Sequence, residues 1–116
     1  PIGSNPRYPL GEPEQLAAAL QQLAAYAEAA GRAPREIEVI YRTADYQLNP
    51  DGRTLTSPTG ARRPFVGNAD DIAADIRRYE AMGVGYLIVD FGRLSRDLSE
   101  MLQHMEALAT QVWPRV

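Results

Sequence analysis

Apolar positions along the chain switch between helical and strand spacing, and the switches mark its elements. Over residues 12–30 they recur as Leu16, Leu20, Leu23 and Ala27, one face of a helix. Pro13 suits the first helical turn, where its missing N–H costs nothing, and Glu12 and Glu14 stand beside the positive helix end. Gly31 offers a left-handed stop and Pro34 prevents a restart. Residues 37–43 are β-branched, aromatic and roughly alternating, which predicts a strand. A stretch with turn residues throughout follows, including Asn49-Pro50-Asp51-Gly52 and Ser57-Pro58-Thr59-Gly60. Loops this long are functional or disordered in most compact domains. The first of these turns also allows a small hairpin, with Tyr46-Gln47-Leu48 against Arg53-Thr54-Leu55.

Asn68 is a good N-cap, and Asp70 and Asp71 fall in the first turn of a second helix. Its apolar face is Ile72, Ile76 and Tyr79, and Gly83 ends it. Residues 86–91 form a nearly continuous apolar run, as in a parallel strand covered on both faces. Ser95 is placed to cap a last helix with Leu98, Met101, Leu102, Met105 and Leu108 on its buried side, and Pro114 stops it. The order is helix, strand, long loop, helix, strand, helix. Such alternation predicts an α/β domain with a parallel sheet, and no linker divides residues 1–116.

Composition narrows the function classes. With 45% hydrophobic and 23% charged residues the balance is globular, neither disordered nor membrane-embedded. The net charge is -3 and no dense Lys/Arg run occurs, so a nucleic-acid partner is not expected. No apolar stretch approaches the roughly 20 residues that span a bilayer, so no membrane partner is expected. The absence of cysteine excludes thiolate metal sites and a cysteine nucleophile, and fits a cytoplasmic setting. The single histidine, His104, leaves neither a His triad nor a His-cluster metal site. The opening Pro1-Ile2-Gly3-Ser4-Asn5-Pro6 is no signal peptide and reads as the interior of a longer protein.

The run Phe65-Val66-Gly67-Asn68-Ala69-Asp70-Asp71-Ile72, followed by Tyr79-Glu80-Ala81-Met82-Gly83-Val84-Gly85-Tyr86-Leu87-Ile88-Val89-Asp90-Phe91, resembles the C-terminal signature of luciferase-like monooxygenases. Upstream, Glu12-Pro13-Glu14-Gln15-Leu16 and Ala29-Ala30-Gly31-Arg32-Ala33-Pro34 resemble the helix and the Ala-Gly-Arg-x-Pro turn of the same family, above all its deazaflavin-dependent branch. The resemblance spans essentially the whole chain. No single piece is specific, since many such barrels share Gly-Val-x-x-Leu; the ordered set is what carries it.

What the resemblance implies is the C-terminal part of a TIM (β/α)8 barrel, an incomplete one, since the fold typically needs about 250 residues. Pro1, Ile2 and Gly3 then end barrel strand six, 37–43 is strand seven and 86–91 is strand eight. The family's Gly/Ser-rich phosphate-binding turn matches nothing in the chain. The implied activity is oxidation or reduction of a small organic substrate with FMN or a deazaflavin coenzyme, bound mainly by parts of the barrel outside this chain. FMN would allow monooxygenation, and a deazaflavin would imply hydride transfer. The implied partners are the substrate and the remainder of the barrel.

In that frame Ile37, Val39 and Tyr41 face the helices, leaving Glu38, Ile40 and Arg42 toward the lumen. Likewise Leu87, Val89 and Phe91 face outward, and Tyr86, Ile88 and Asp90 inward. Arg42 and Asp90 are the candidate catalytic residues, an ion pair at the pocket floor, with a purely structural lumen bridge as the alternative. Gly3, Ser4 and Asn5 are candidates for cofactor binding through backbone N–H groups and a hydroxyl, against an ordinary loop. Arg62 and Arg63 close the loop that often covers the active site in this family, and two guanidinium groups suit an anionic cofactor or substrate, against solvated surface charge. Asn68 reads as an ordinary N-cap before an anion site, and Asp70, Asp71 and Asp75 as capping residues and a solvated face. His104, Trp113, Met101 and Met105 read as surface or helix-packing residues. The rival expectation is a non-catalytic α/β module. Its exposed Ile40, Tyr86 and Ile88 would drive association with further copies into a homo-oligomer.

Overall fold

The computed structural model describes residues 12–92 and 94–116. The expected end of strand six at Pro1, Ile2 and Gly3, and the candidates Gly3, Ser4 and Asn5, lie outside the described residues. The first helix, α1, spans Pro13–Ala29 with Pro13 and Leu16 buried at its start and Ala27 at its end. Two bonds close it: Arg32 N–H donates to Ala27 O at 2.8 Å and Gly31 N–H to Glu28 O at 3.0 Å. That pairing needs a left-handed residue after the helix, and Gly31 supplies it with φ +78. A 3-10 turn at Pro34–Glu36 leads to strand β1, Ile40–Arg42.

Between β1 and the second helix the chain makes two further short strands, β2 (Gln47–Leu48) and β3 (Val66–Gly67). They pair in parallel, Gln47 with Val66 and Leu48 with Gly67. The expected hairpin of 46–48 against 53–55 is therefore not formed. The 49–52 turn is made, with Gly52 N–H on Asn49 O at 2.9 Å. Asn49 Nδ2 then holds Arg53 O at 2.8 Å, which directs the chain away from β2. The antiparallel contact occurs later instead, between Thr56 and Arg62 around the 57–60 turn.

Helix α2, Ala69–Met82, opens with reciprocal caps: Asn68 Oδ1 accepts from Asp71 N–H at 2.9 Å and Asp71 Oδ2 from Asn68 N–H at 3.1 Å. Gly83 ends it, and Val84 N–H returns to Tyr79 O at 3.1 Å. Strand β4, Tyr86–Ile88, follows and pairs in parallel with β1, Ile40 opposite Tyr86 and Arg42 opposite Ile88. Both strands are shorter than the apolar runs that predict them. The ladder extends only where a neighbour is present, ending with Thr43 N–H on Ile88 O at 2.9 Å. Among the described residues the result is a mixed α/β fold with three α-helices and short parallel strands.

Helix α3, Leu98–Ala107, widens into a π-helical stretch at Leu108–Val112 and tightens into a 3-10 turn at Trp113–Arg115. Its cap is Asp97, whose side chain accepts from Glu100 N–H at 2.9 Å, and not Ser95. Ser95 Oγ donates to Phe91 O at 2.7 Å and folds the preceding turn. The expected buried stripe is also corrected. Leu98, Leu102 and Met105 are exposed, as is Trp113, while Val112 is fully buried and Leu108 packs against the core. The π-helical stretch and 3-10 turn that follow α3 make the contact with α2, and there Arg115 reaches Asp70 at 2.9 Å.

The core gathers Leu16, Tyr41, Phe65, Ile72, Tyr79 and Val112. Tyr79 is its hub: its ring centre lies 5.1 Å from that of Tyr41 and 4.9 Å from that of Phe65, in tilted and edge-on contacts. All of this sits on one face of the β1–β4 pair. On the other face Ile40 is 61% exposed, Tyr86 58% and Ile88 48%. Among the described residues no helix is long and apolar enough to cross a membrane.

Candidate functional site

Alternation along β1 buries Tyr41 and leaves Arg42 on the open face at the strand's carboxyl end. Two residues beyond β4, Asp90 reaches the same place, and Arg42 Nη2 donates to Asp90 Oδ2. The other carboxylate oxygen, Oδ1, accepts Gly92 N–H at 2.9 Å, which fixes the turn after β4. The two candidate catalytic residues are thus brought together at the strand ends. Their bridge is not a buried one in this chain: the Arg42 side chain is 67% exposed. Solvent screening limits such a pair to about 0–1 kcal/mol of stability.

Beside the bridge lies a cavity of about 110 Å³ lined by Thr43, Ala44, Asp45, Tyr46, Gln47, Asp90 and Leu94. Thr43 and Tyr46 are both buried, and their side-chain oxygens have no hydrogen-bond partner among the described residues. Burial pushes the Tyr46 phenol up to about 12, so it is a neutral donor under ordinary conditions. Its ring packs edge-on against Phe91, with centres 5.2 Å apart, which ties the link after β1 to the turn after β4.

Arg62 and Arg63 stand at the end of the long loop, and both guanidinium groups have partners within the protein. Arg62 donates to Asp75 and, at 2.9 Å, to Val66 O. Arg63 pairs with Asp45 at 3.2 Å. The two arginines stitch the loop to α2 on one side and to the link after β1 on the other. Asp75 is not on a solvated face. It is 6% exposed and also accepts Phe65 N–H at 2.7 Å. Its spacing contains the signal: three residues after Ile72 and four before Tyr79, it falls on the buried face of α2.

Asn68 serves as the N-cap of α2. His104 is half-buried on α3. Thr43, Asp45 and Tyr46 carry no sequence motif, and only their position just after a strand, where α/β ligand sites lie, marks them. Among the described residues no group of three or more His, Asp or Glu is placed to hold a metal ion. Compared with family models, curated proteins and solved structures, the chain matches none.

Proposed function

We propose that the chain is the C-terminal part of a luciferase-like (β/α)8-barrel oxidoreductase that acts on a small organic substrate with FMN or a deazaflavin coenzyme. The observation that carries this reading is the one-sided cover of the β1–β4 pair. Helices and core occupy the face of Tyr41 and Leu87, while Ile40, Tyr86 and Ile88 stand exposed on the other. Two adjacent parallel strands of a barrel have this asymmetry when the other strands that enclose the lumen are absent. The radius of gyration, 15.4 Å against about 13 Å for a compact domain of similar size, agrees with an open unit.

In this reading Arg42 and Asp90 sit at the mouth of the lumen, where barrel enzymes place their chemistry. The described residues do not themselves fit the phosphate of a flavin-type cofactor. Arg62 and Arg63 are engaged with Asp75 and Asp45, and no glycine-rich cradle stands among the described residues. The cofactor would be held by other parts of the barrel, so this chain's contribution is one wall of the substrate pocket. The second reading, a non-catalytic module that self-associates, draws on the same open face and on the exposed Leu98, Leu102 and Met105 of α3.

Native mass spectrometry of the protein isolated from its source separates the two. A larger companion polypeptide or a retained flavin supports the oxidoreductase. A cofactor-free homo-oligomer of this chain alone overturns it and favours the module.

A further inference from the structure

We propose that Asp51, in the turn after β2, is a site of spontaneous modification, where the side-chain carboxyl condenses with the Gly52 nitrogen and the main chain reopens as isoaspartate. Asp51 is the only aspartate of the chain that is followed by glycine. A Cβ on the following residue would crowd the attacking nitrogen, and glycine has none. The surrounding space is open too: beyond its chain neighbours, a Cβ built at Gly52 would meet only Asn68 Nδ2, at 3.9 Å. The turn sets the reacting groups beside one another. Arg53 N–H donates to Asp51 Oδ1 at 3.0 Å, which folds the carboxyl forward in a ring that contains the Gly52 nitrogen. Gly52 N–H is taken by Asn49 O at 2.9 Å, an in-plane bond that leaves the faces of that peptide free.

Asp51 also differs from the other aspartates among the described residues. Asp45, Asp70, Asp75 and Asp90 are bridged to arginines, and Asp71 and Asp97 cap helices. Those contacts tie their carboxyls to distant partners, whereas Asp51 is exposed and its carboxyl is held by the Arg53 N–H. The step needs no co-reactant but water. Gly52 N bonds to Asp51 Cγ, and the hydroxyl of the protonated carboxyl leaves with the nitrogen's proton as water. Water then adds back to the cyclic imide at either carbonyl. At Cγ it restores aspartate; at the backbone carbonyl it gives isoaspartate, with the chain running through Cβ and Cγ. That main chain is one carbon longer, so the turn closed by Gly52 N–H on Asn49 O and by Asn49 Nδ2 on Arg53 O, at 2.8 Å, opens.

This chemistry is independent of the oxidoreductase reading. The test is incubation of the 116-residue chain at neutral pH in water labelled with heavy oxygen, beside a synthetic peptide of residues 43–53. Digestion and electron-transfer mass spectrometry of the 43–53 segment then read label uptake and isomer at each aspartate, with Asp45 as the internal control. The expected result is label and isoaspartate at residue 51 and not at 45. The folded chain should react within about tenfold of the peptide's rate, a barrier difference under about 1.4 kcal/mol. Asp51→Glu, whose imide would need a larger ring, should show neither change. In the aged fraction the Gly52 and Arg53 amides should exchange with solvent faster than in the fresh protein. A folded chain slower than that limit would show that the turn protects Asp51, and would overturn the proposal. Equal modification at Asp45, an Asp51→Glu chain that reacts like the parent, or unchanged amide exchange after ageing would overturn it as well.

Discussion

Asp75 is the side chain on which the loop between β2 and α2 depends. Its two oxygens take an arginine and the backbone N–H of Phe65. Phe65 itself holds a left-handed φ of +65, a conformation that a bulky residue keeps only when its surroundings enforce it. Replacing Asp75 by Ala strands both donors, and the expected loss is about 3 kcal/mol in chemical denaturation. Asp90→Asn is the contrasting case. The amide oxygen can keep Gly92 N–H while the exposed bridge to Arg42 is lost, so the same assay should register less than about 1 kcal/mol. Glycine at 67 is required by a close approach: a Cβ built there would lie 2.4 Å from the Asp71 carboxylate that caps α2, at φ +152. Gly67→Ala should cost about 1–3 kcal/mol and reduce the hydrogen-exchange protection of the first turn of α2.

At the scale of elements, capping chemistry and periodicity were the legible part of the sequence. Asn68 and Gly83 bracket α2 in the structure where their side-chain and backbone preferences place them. The alternation of Tyr41 inward and Ile40 and Arg42 outward follows from period two alone. Partner choice was not legible. Gln47 and Leu48 could pair with the residues just after the turn or with a strand across the domain. The second pairing prevails because β3 enters α2 through the buried Phe65 and Val66. The α3 stripe was misread for a related reason: periodicity says which residues share a face, not whether anything covers it. In the candidate site, Arg42 and Asp90 were legible from strand phase, whereas Thr43 and Tyr46 required the three-dimensional path of a loop.

One tie between elements has a pH signature. Thr59 Oγ1 donates to Glu12 at the start of α1, and Ser57 Oγ lies 2.9 Å from Thr59 Oγ1. Hydrogen bonding to the Glu12 carboxyl from the Ser57 hydroxyl first, and then from that of Thr59, holds it below its ordinary value, with Arg63 adding a smaller pull. A lowered folded value means stability present above about 4.5 and lost as pH falls through the depressed value. Thr59→Ala should therefore raise the Glu12 titration midpoint in carboxyl-resolved NMR and blunt the loss of stability at the acid end.

For the whole molecule the open face of the β1–β4 pair decides behaviour in solution. Ile88→Lys places a charge at a position that is 48% exposed in this chain. If the face is covered by other barrel strands or by another copy, that lysine should abolish the association seen by analytical ultracentrifugation while leaving the thermal midpoint of the separated chain nearly unchanged. Equal sedimentation of parent and variant would show that the face meets nothing.

The parallel pairing of Ile40 with Tyr86 and of Gln47 with Val66 joins the two halves of the chain on either side of the exposed tip at Thr59 and Gly60. The Arg63–Asp45 and Arg78–Glu14 bridges cross the same divide. A protease acting at that tip therefore leaves a nicked protein whose halves remain engaged, not two separate pieces. The same point divides the coding sequence into segments suited to fragment complementation.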